Sequence, residues 1–148
     1  MIDNVNDIEI VLVEDNHWEA ELTIRALKKT ELDSKLIWLK NGEEVKELLL
    51  NEEDDVPKRQ IVKPKLILID LNLPKINGVE IISLLKSDSR TKNIPIVVMT
   101  SSSQEGDLNK CYELGVNSYV VKPGNYQSFS EACNQIGLYW TMTNRAIE

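Results

Sequence analysis

The stretch KLILIDLNLPKING, residues 65–78, carries the reading that decides the fold. Leu66 to Ile69 form an apolar run short enough for a buried strand, and Asp70 follows it directly. Pro74 and Gly78 then shape the loop: proline fixes φ, and glycine lets a turn and the next helix begin close to the aspartate. Working outward, four further runs have the same character: Ile8 to Val13, Leu36 to Leu39, Ile96 to Met99 and Tyr119 to Val121. Between them apolar residues repeat at helical spacing: Ala20, Ile24 and Leu27; Val45, Leu48 and Leu49; Ile81, Leu84 and Leu85; Leu108, Cys111 and Tyr112. Phe129, Ala132, Cys133, Ile136 and Trp140 share one face of a fifth helix after Pro123. The alternation predicts an α/β fold of (βα)5 type, a doubly wound five-stranded parallel sheet covered on both faces.

The chain has 148 residues, 42% of them hydrophobic, which suits a single domain with its core over about residues 7–140. Asn51 to Pro64, NEEDDVPKRQIVKP, reads as a solvated loop between the second helix and the third strand. It is long for such a connection, as a tolerated insertion or as a partner-contacting loop. A formal net charge of −7 argues against a nucleic-acid surface, which depends on clustered Lys and Arg. Protein partners or small ligands fit better. Cys111 and Cys133 lack metal-ligand spacing and read as ordinary packing residues of a reduced, cytosolic protein. No run of about 18 apolar residues occurs, and the acidic start MIDNVNDIE lacks the apolar stretch of a signal peptide. Neither a membrane span nor a leader is expected.

The polar residues fall at strand ends: Glu14 and Asp15 after the first, Asp70 after the third, Thr100 after the fourth and Lys122 after the fifth. Parallel strands bring these ends to one edge. Three carboxylates crowded there repel, by about 4 kcal/mol per pair at 4 Å and an effective dielectric near 20, so a cation is needed to hold them. Oxygen ligands with water suit magnesium. A carboxylate nucleophile, a hydroxyl donor and an ammonium are what a phosphoryl-acceptor site requires, with Asp70 the acceptor and Thr100 and Lys122 pairing with the added oxygens. Taken singly, each feature has a plainer reading: the acidic pair as a turn or helix cap, Thr100 beside Ser101 to Ser103 as an N-cap, Lys122 as a loop lysine. Four separate strands delivering complementary groups to one edge favour the joint reading.

These residues give the chain a resemblance to the receiver domains of response regulators over nearly its full length. The motifs are V-E-D-N at Val13 to Asn16, D-L-N-L-P-x-x-N-G from Asp70 to Gly78, M-T-S at Met99 to Ser101, and Lys122-Pro123. The resemblance implies a flavodoxin-like (βα)5 fold with strand order 2-1-3-4-5. Asp15 and Asp70 would be magnesium ligands, Asn72 would add its backbone carbonyl, and Glu14 would act through water. Asp70 would take its phosphoryl group from a histidine kinase, and Asn72 and Ser102 would tune how fast it is lost. Thr100 and Tyr119 would form the switch, although Tyr119 is alternatively a half-exposed strand residue. The Lys122-Pro123 bond is expected to be a cis peptide aiming the lysine inward.

The chain stops after the fifth helix, so output is expected to pass through another, unknown downstream protein. The long loop and the segment Gly137-Leu138-Tyr139-Trp140 resemble single-domain regulators paired with bacterial phytochrome-type histidine kinases. Tyr139 and Trp140 offer a homodimer interface or simply the packing of an amphipathic helix. His17 and Trp18 are kinase contacts or surface residues. Among other classes, a magnesium-dependent phosphohydrolase of haloacid-dehalogenase type wants a second Asp where Asn72 stands, and an FMN phosphate would be repelled by Glu14 and Asp15. A phosphorylation-independent adaptor of the same fold would not need the full set of acceptor groups.

Overall fold

The computed structural model describes residues 7–50, 62–101 and 104–147. In chain order the elements are β1 (Ile10–Val13), α1 (His17–Lys28), a short tight turn (Leu32–Lys35), β2 (Leu36–Leu39) and α2 (Gly42–Val45), which widens over Lys46–Leu50. Then follow β3 (Leu66–Ile69), α3 (Gly78–Ser87), β4 (Ile96–Thr100), α4 (Glu105–Leu114), β5 (Ser118–Val121) and α5 (Tyr126–Leu138), with a final wide turn over Tyr139–Thr143. The strands are parallel in the order β2-β1-β3-β4-β5, as the resemblance implied.

Successive side chains of a strand point to opposite faces, and the two cores divide accordingly. Val11, Val13, Ile67, Ile69, Ile96 and Val98 pack beneath α2, α3 and α4, with Val45, Ile81, Ile82, Leu85 and Cys111. Ile10, Leu12, Leu66, Leu68, Val97 and Met99 face α1 and α5, with Ala20, Leu27, Phe129 and Cys133. The central strands bury both faces, which is why their sequence is continuously apolar. Trp140 is half-buried against the second core, whereas Tyr139 stands 49% exposed with its ring edge-on to Trp140. On α4 only Cys111 of the expected apolar trio is buried; Tyr112 is half exposed.

Four asparagines start four helices. Asn16, Asn41, Asn77 and Asn125 each accept, on the side-chain oxygen, a backbone N–H three residues on, at 2.8–3.0 Å. Such a cap is worth about 1 kcal/mol and fixes where the first turn begins. Of the expected 51–64 loop, residues 51–61 lie outside the described residues, while Val62 is buried in the first core. No helix among the described residues is long and apolar enough to cross a membrane.

Candidate phosphoryl-acceptor and metal site

The sheet ladder continues one residue past β1 and β3, through Glu14 N–H to the Leu39 carbonyl (3.0 Å) and Asp70 N–H to the Val13 carbonyl (3.0 Å). Both side chains are thereby carried on a rigid edge, and both are buried, 3% and 5% exposed. At β5, Lys122 N–H donates to the Thr100 carbonyl at 2.8 Å. The expected cis bond after Lys122 is not found: no cis peptide occurs among the described residues. The trans form is the default for X-Pro by about 0.5–1 kcal/mol, and with it Lys122 Nζ still reaches Glu14 and Asp70 at 2.8 Å.

Four expected residues come together. Asp70 Oδ1 accepts from the Thr100 hydroxyl at 3.2 Å and from Asn72 N–H at 2.9 Å, and Oδ2 accepts from Lys122 Nζ at 2.8 Å. Lys122 Nζ also donates to Glu14 Oε1 at 2.8 Å. Glu14 is further pinned: its Oε2 accepts Asn16 N–H at 3.3 Å, and its carbonyl accepts the Trp38 indole N–H at 2.7 Å. Burial pushes the Glu14 carboxyl up to about 7, the nearby Lys122 offsetting only part of that. For Lys122, burial pulls the pKa down, but hydrogen bonds to Asp70 and Glu14 outweigh it and the net shift is upward. The ammonium is therefore fixed in its charged form.

The side chains of other expected residues stand apart from this knot. Asp15 and Asn72 have exposed side chains beside it, and Tyr119 is half-buried against the first core. Ser102 lies outside the described residues. Gly78 is needed for close approach: a Cβ there would sit 2.6 Å from Leu71 Cα and 2.7 Å from the Asp70 carbonyl, both backbone atoms. Its N–H bonds the Leu71 carbonyl at 3.0 Å, so α3 begins against the loop that follows Asp70.

One site residue escaped the sequence reading. Glu19, in the first turn of α1, brings Oε2 to 3.2 Å from Lys122 Nζ. Its signal was the N-x-x-E spacing from the cap Asn16, which places a carboxylate on the first helical turn. Because Asn16 N–H is already taken by Glu14, the Glu19 carboxylate turns to the lysine. Carboxylate oxygens of Glu14, Glu19 and Asp70 all lie within 4.8 Å of one another. An all-oxygen donor set with a carboxylate excess suits a hard divalent cation.

The family model for the response regulator receiver domain matches residues 10–134, and the chain belongs to that family. It is 35% identical over 137 residues to the probable methanogenesis regulatory protein FilR2 of Methanothrix harundinacea (strain 6Ac), covering 93% of this chain and 86% of that protein. Among solved structures, the phosphorylated cyanobacterial phytochrome response regulator RcpA superposes with a TM-score of 0.83 at 33% identity, over 95% of this chain and 99% of that one. The Mn(2+)-bound form of response regulator Rcp1 gives 0.81 at 34% identity, with the same coverage.

Proposed function

We propose that this receiver domain accepts a phosphoryl group on Asp70 from the phosphohistidine of a histidine kinase, with magnesium as cofactor, and thereby switches its contacts with another protein. The observation that carries the reading is the environment of Asp70. Its carboxylate is held by a buried hydroxyl, a backbone N–H and an ammonium, at 3.2, 2.9 and 2.8 Å, on a rigid strand end. In the transfer, an Asp70 oxygen bonds to phosphorus as the P–N bond breaks, and the donor imidazole leaves with the electron pair and takes up a proton. Lys122 and Thr100 are the groups available to the new phosphoryl oxygens. Asp70, Asp15, the Asn72 carbonyl and, through water, Glu14 would hold the magnesium, which would neutralise charge on the transferring oxygens.

A phosphoryl group adds about −1.5 to −2 charges at neutral pH. Thr100, at the end of β4, and Tyr119, on β5, are the residues through which we propose that this charge is felt at the face formed by α4, β5 and α5. Likeness to a regulator solved in its phosphorylated state and to one solved with Mn(2+) supports the chemistry. Likeness to phytochrome response regulators supports a phytochrome-type kinase as the donor, and a cytoplasmic location follows from such a partnership.

The test is intact-mass analysis after incubation with acetyl phosphate, with and without magnesium. One phosphoryl mass on the wild type with magnesium, and none on Asp70→Asn, is expected; an adduct that persists on Asp70→Asn overturns the assignment. Thr100→Ala should still be modified but transmit the signal poorly.

A further inference from the structure

Lys122 has three N–H donors, and carboxylates surround it on three sides: Glu14 at 2.8 Å, Asp70 at 2.8 Å and Glu19 at 3.2 Å. Two of these partners are the buried carboxylates wanted by the cation under the reading above, and their side chains are 4% and 6% exposed. The lysine is itself only 9% exposed, so it cannot leave for water without losing its hydrogen bonds in a poorly solvated place. Glu19 differs from the other two. It sits on a helix instead of a strand end, and its side chain is 38% exposed where the other two are buried.

We propose that Glu19 is a positioning residue that takes over Lys122 when a divalent cation binds, releasing Glu14 and Asp70 from the ammonium. The inference rests on the metal-assisted reading of this site and adds to it a residue from outside the motif. Two physical effects act in the same direction. The Glu19 charge offers the displaced ammonium a partner, so cation binding does not strand a buried lysine. Without it, the lysine would concentrate on the two carboxylates that the cation needs. The cap at Asn16 makes the device dependable, because the bond from Glu19 N–H to Asn16 Oδ1 (3.0 Å) fixes the helical turn from which the carboxylate reaches. Asp15, exposed at the end of β1, remains free to meet the cation while Lys122 moves.

The test measures metal binding without any phosphoryl transfer. Mn(2+) is titrated into the full chain, and the free ion is read by electron paramagnetic resonance. Glu19→Gln is expected to weaken binding at least three-fold, and Glu19→Asp to recover part of the loss; wild-type affinity in Glu19→Gln overturns the proposal. The same substitution is then made in a Lys122→Met background, or Lys122→Gln if the first does not fold. Loss of the Glu19 effect there supports action through the lysine, and an undiminished effect overturns it in favour of a direct charge effect on the ion. Failure of the wild type itself to bind Mn(2+) would instead sink the metal-assisted reading, which keeps the two failures distinct.

Discussion

At the amino edge of the sheet, Glu9 lies between Lys35 at 3.4 Å and Lys65 at 2.9 Å, and Lys65 also donates to the Thr141 carbonyl at 3.3 Å. At the carboxyl edge the ratio is reversed, with Lys122 facing Glu14, Glu19 and Asp70. The first cluster is partly solvated, its lysines about half exposed, and its charges would separate at little cost. The second is buried and holds more negative charge than its one lysine can neutralise. The two edges thus carry different loads: exposed, weakly coupled pairs at one, and at the other a largely buried electrostatic deficit that a cation can fill.

Removing the lysine should break this contrast most severely. Lys122→Met leaves two buried carboxylates without their ammonium, and loss of one partner from a buried ion pair costs about 3 kcal/mol or more. Urea unfolding in EDTA should show that loss, with partial recovery on adding magnesium; a change under about 1 kcal/mol would mean that the cluster is far better solvated than its burial indicates. Next comes Gly78→Ala, whose new Cβ would meet backbone atoms of Leu71 and Asp70 at 2.6 and 2.7 Å. Relief by a backbone shift costs about 1–3 kcal/mol and displaces Asp70, so phosphoryl uptake should slow as well. Gly124→Ala is the control, since a Cβ there meets nothing within 4 Å. It should leave both readouts unchanged.

The fold and most of this site were legible in the sequence for separable reasons. Continuous apolar strands such as Leu66–Ile69 reveal a parallel sheet because burial on both faces leaves no alternation to confuse the pattern. Strand-end residues are legible because a parallel sheet gathers its carboxyl ends. Glu19 was missed because a helix residue enters the site only through the angle at which α1 leaves the edge, which no strand pattern encodes. The cis bond at Pro123 was borrowed from resemblance, and the trans backbone delivers the same lysine. Tyr112 shows the limit of periodicity: it shares helical spacing with Cys111 yet lies at the margin of the buried face and is 50% exposed.

A pH series sharpens the comparison with a smaller effect. The folded value for Glu14, about 7, exceeds its ordinary 4.5, so the folded protein binds that proton more tightly than the unfolded chain. The resulting stabilisation is complete below pH 4.5 and is lost as pH rises through about 7. In EDTA this single contribution should fall by about 2 kcal/mol between pH 5 and 8, the opposing pull of Lys122 being already part of the raised value. Because a cation competes with the proton, magnesium should raise the melting temperature more at pH 8 than at pH 5. The difference between wild type and Glu14→Gln isolates this carboxyl; parallel melting profiles for the two would rule out its titration in this window.

The smallest effect is expected at the opposite edge. Glu9→Gln removes the charge that faces Lys35 and Lys65 while keeping the side chain's volume and its capacity to accept hydrogen bonds. Both lysines are about half exposed and can recover their hydration, so the cost should stay below about 1 kcal/mol and shrink further in salt. Mn(2+) affinity should not change, because the four residues of β1 lie between Glu9 and Glu14, a separation of five strand steps or roughly 16 Å. A drop in metal affinity would show that the two edges are coupled through β1, and the division of labour between them would have to be abandoned. Equal affinity with a slightly lower melting temperature would place the carboxylate excess at the far edge under local control, set by Lys122 and its three partners.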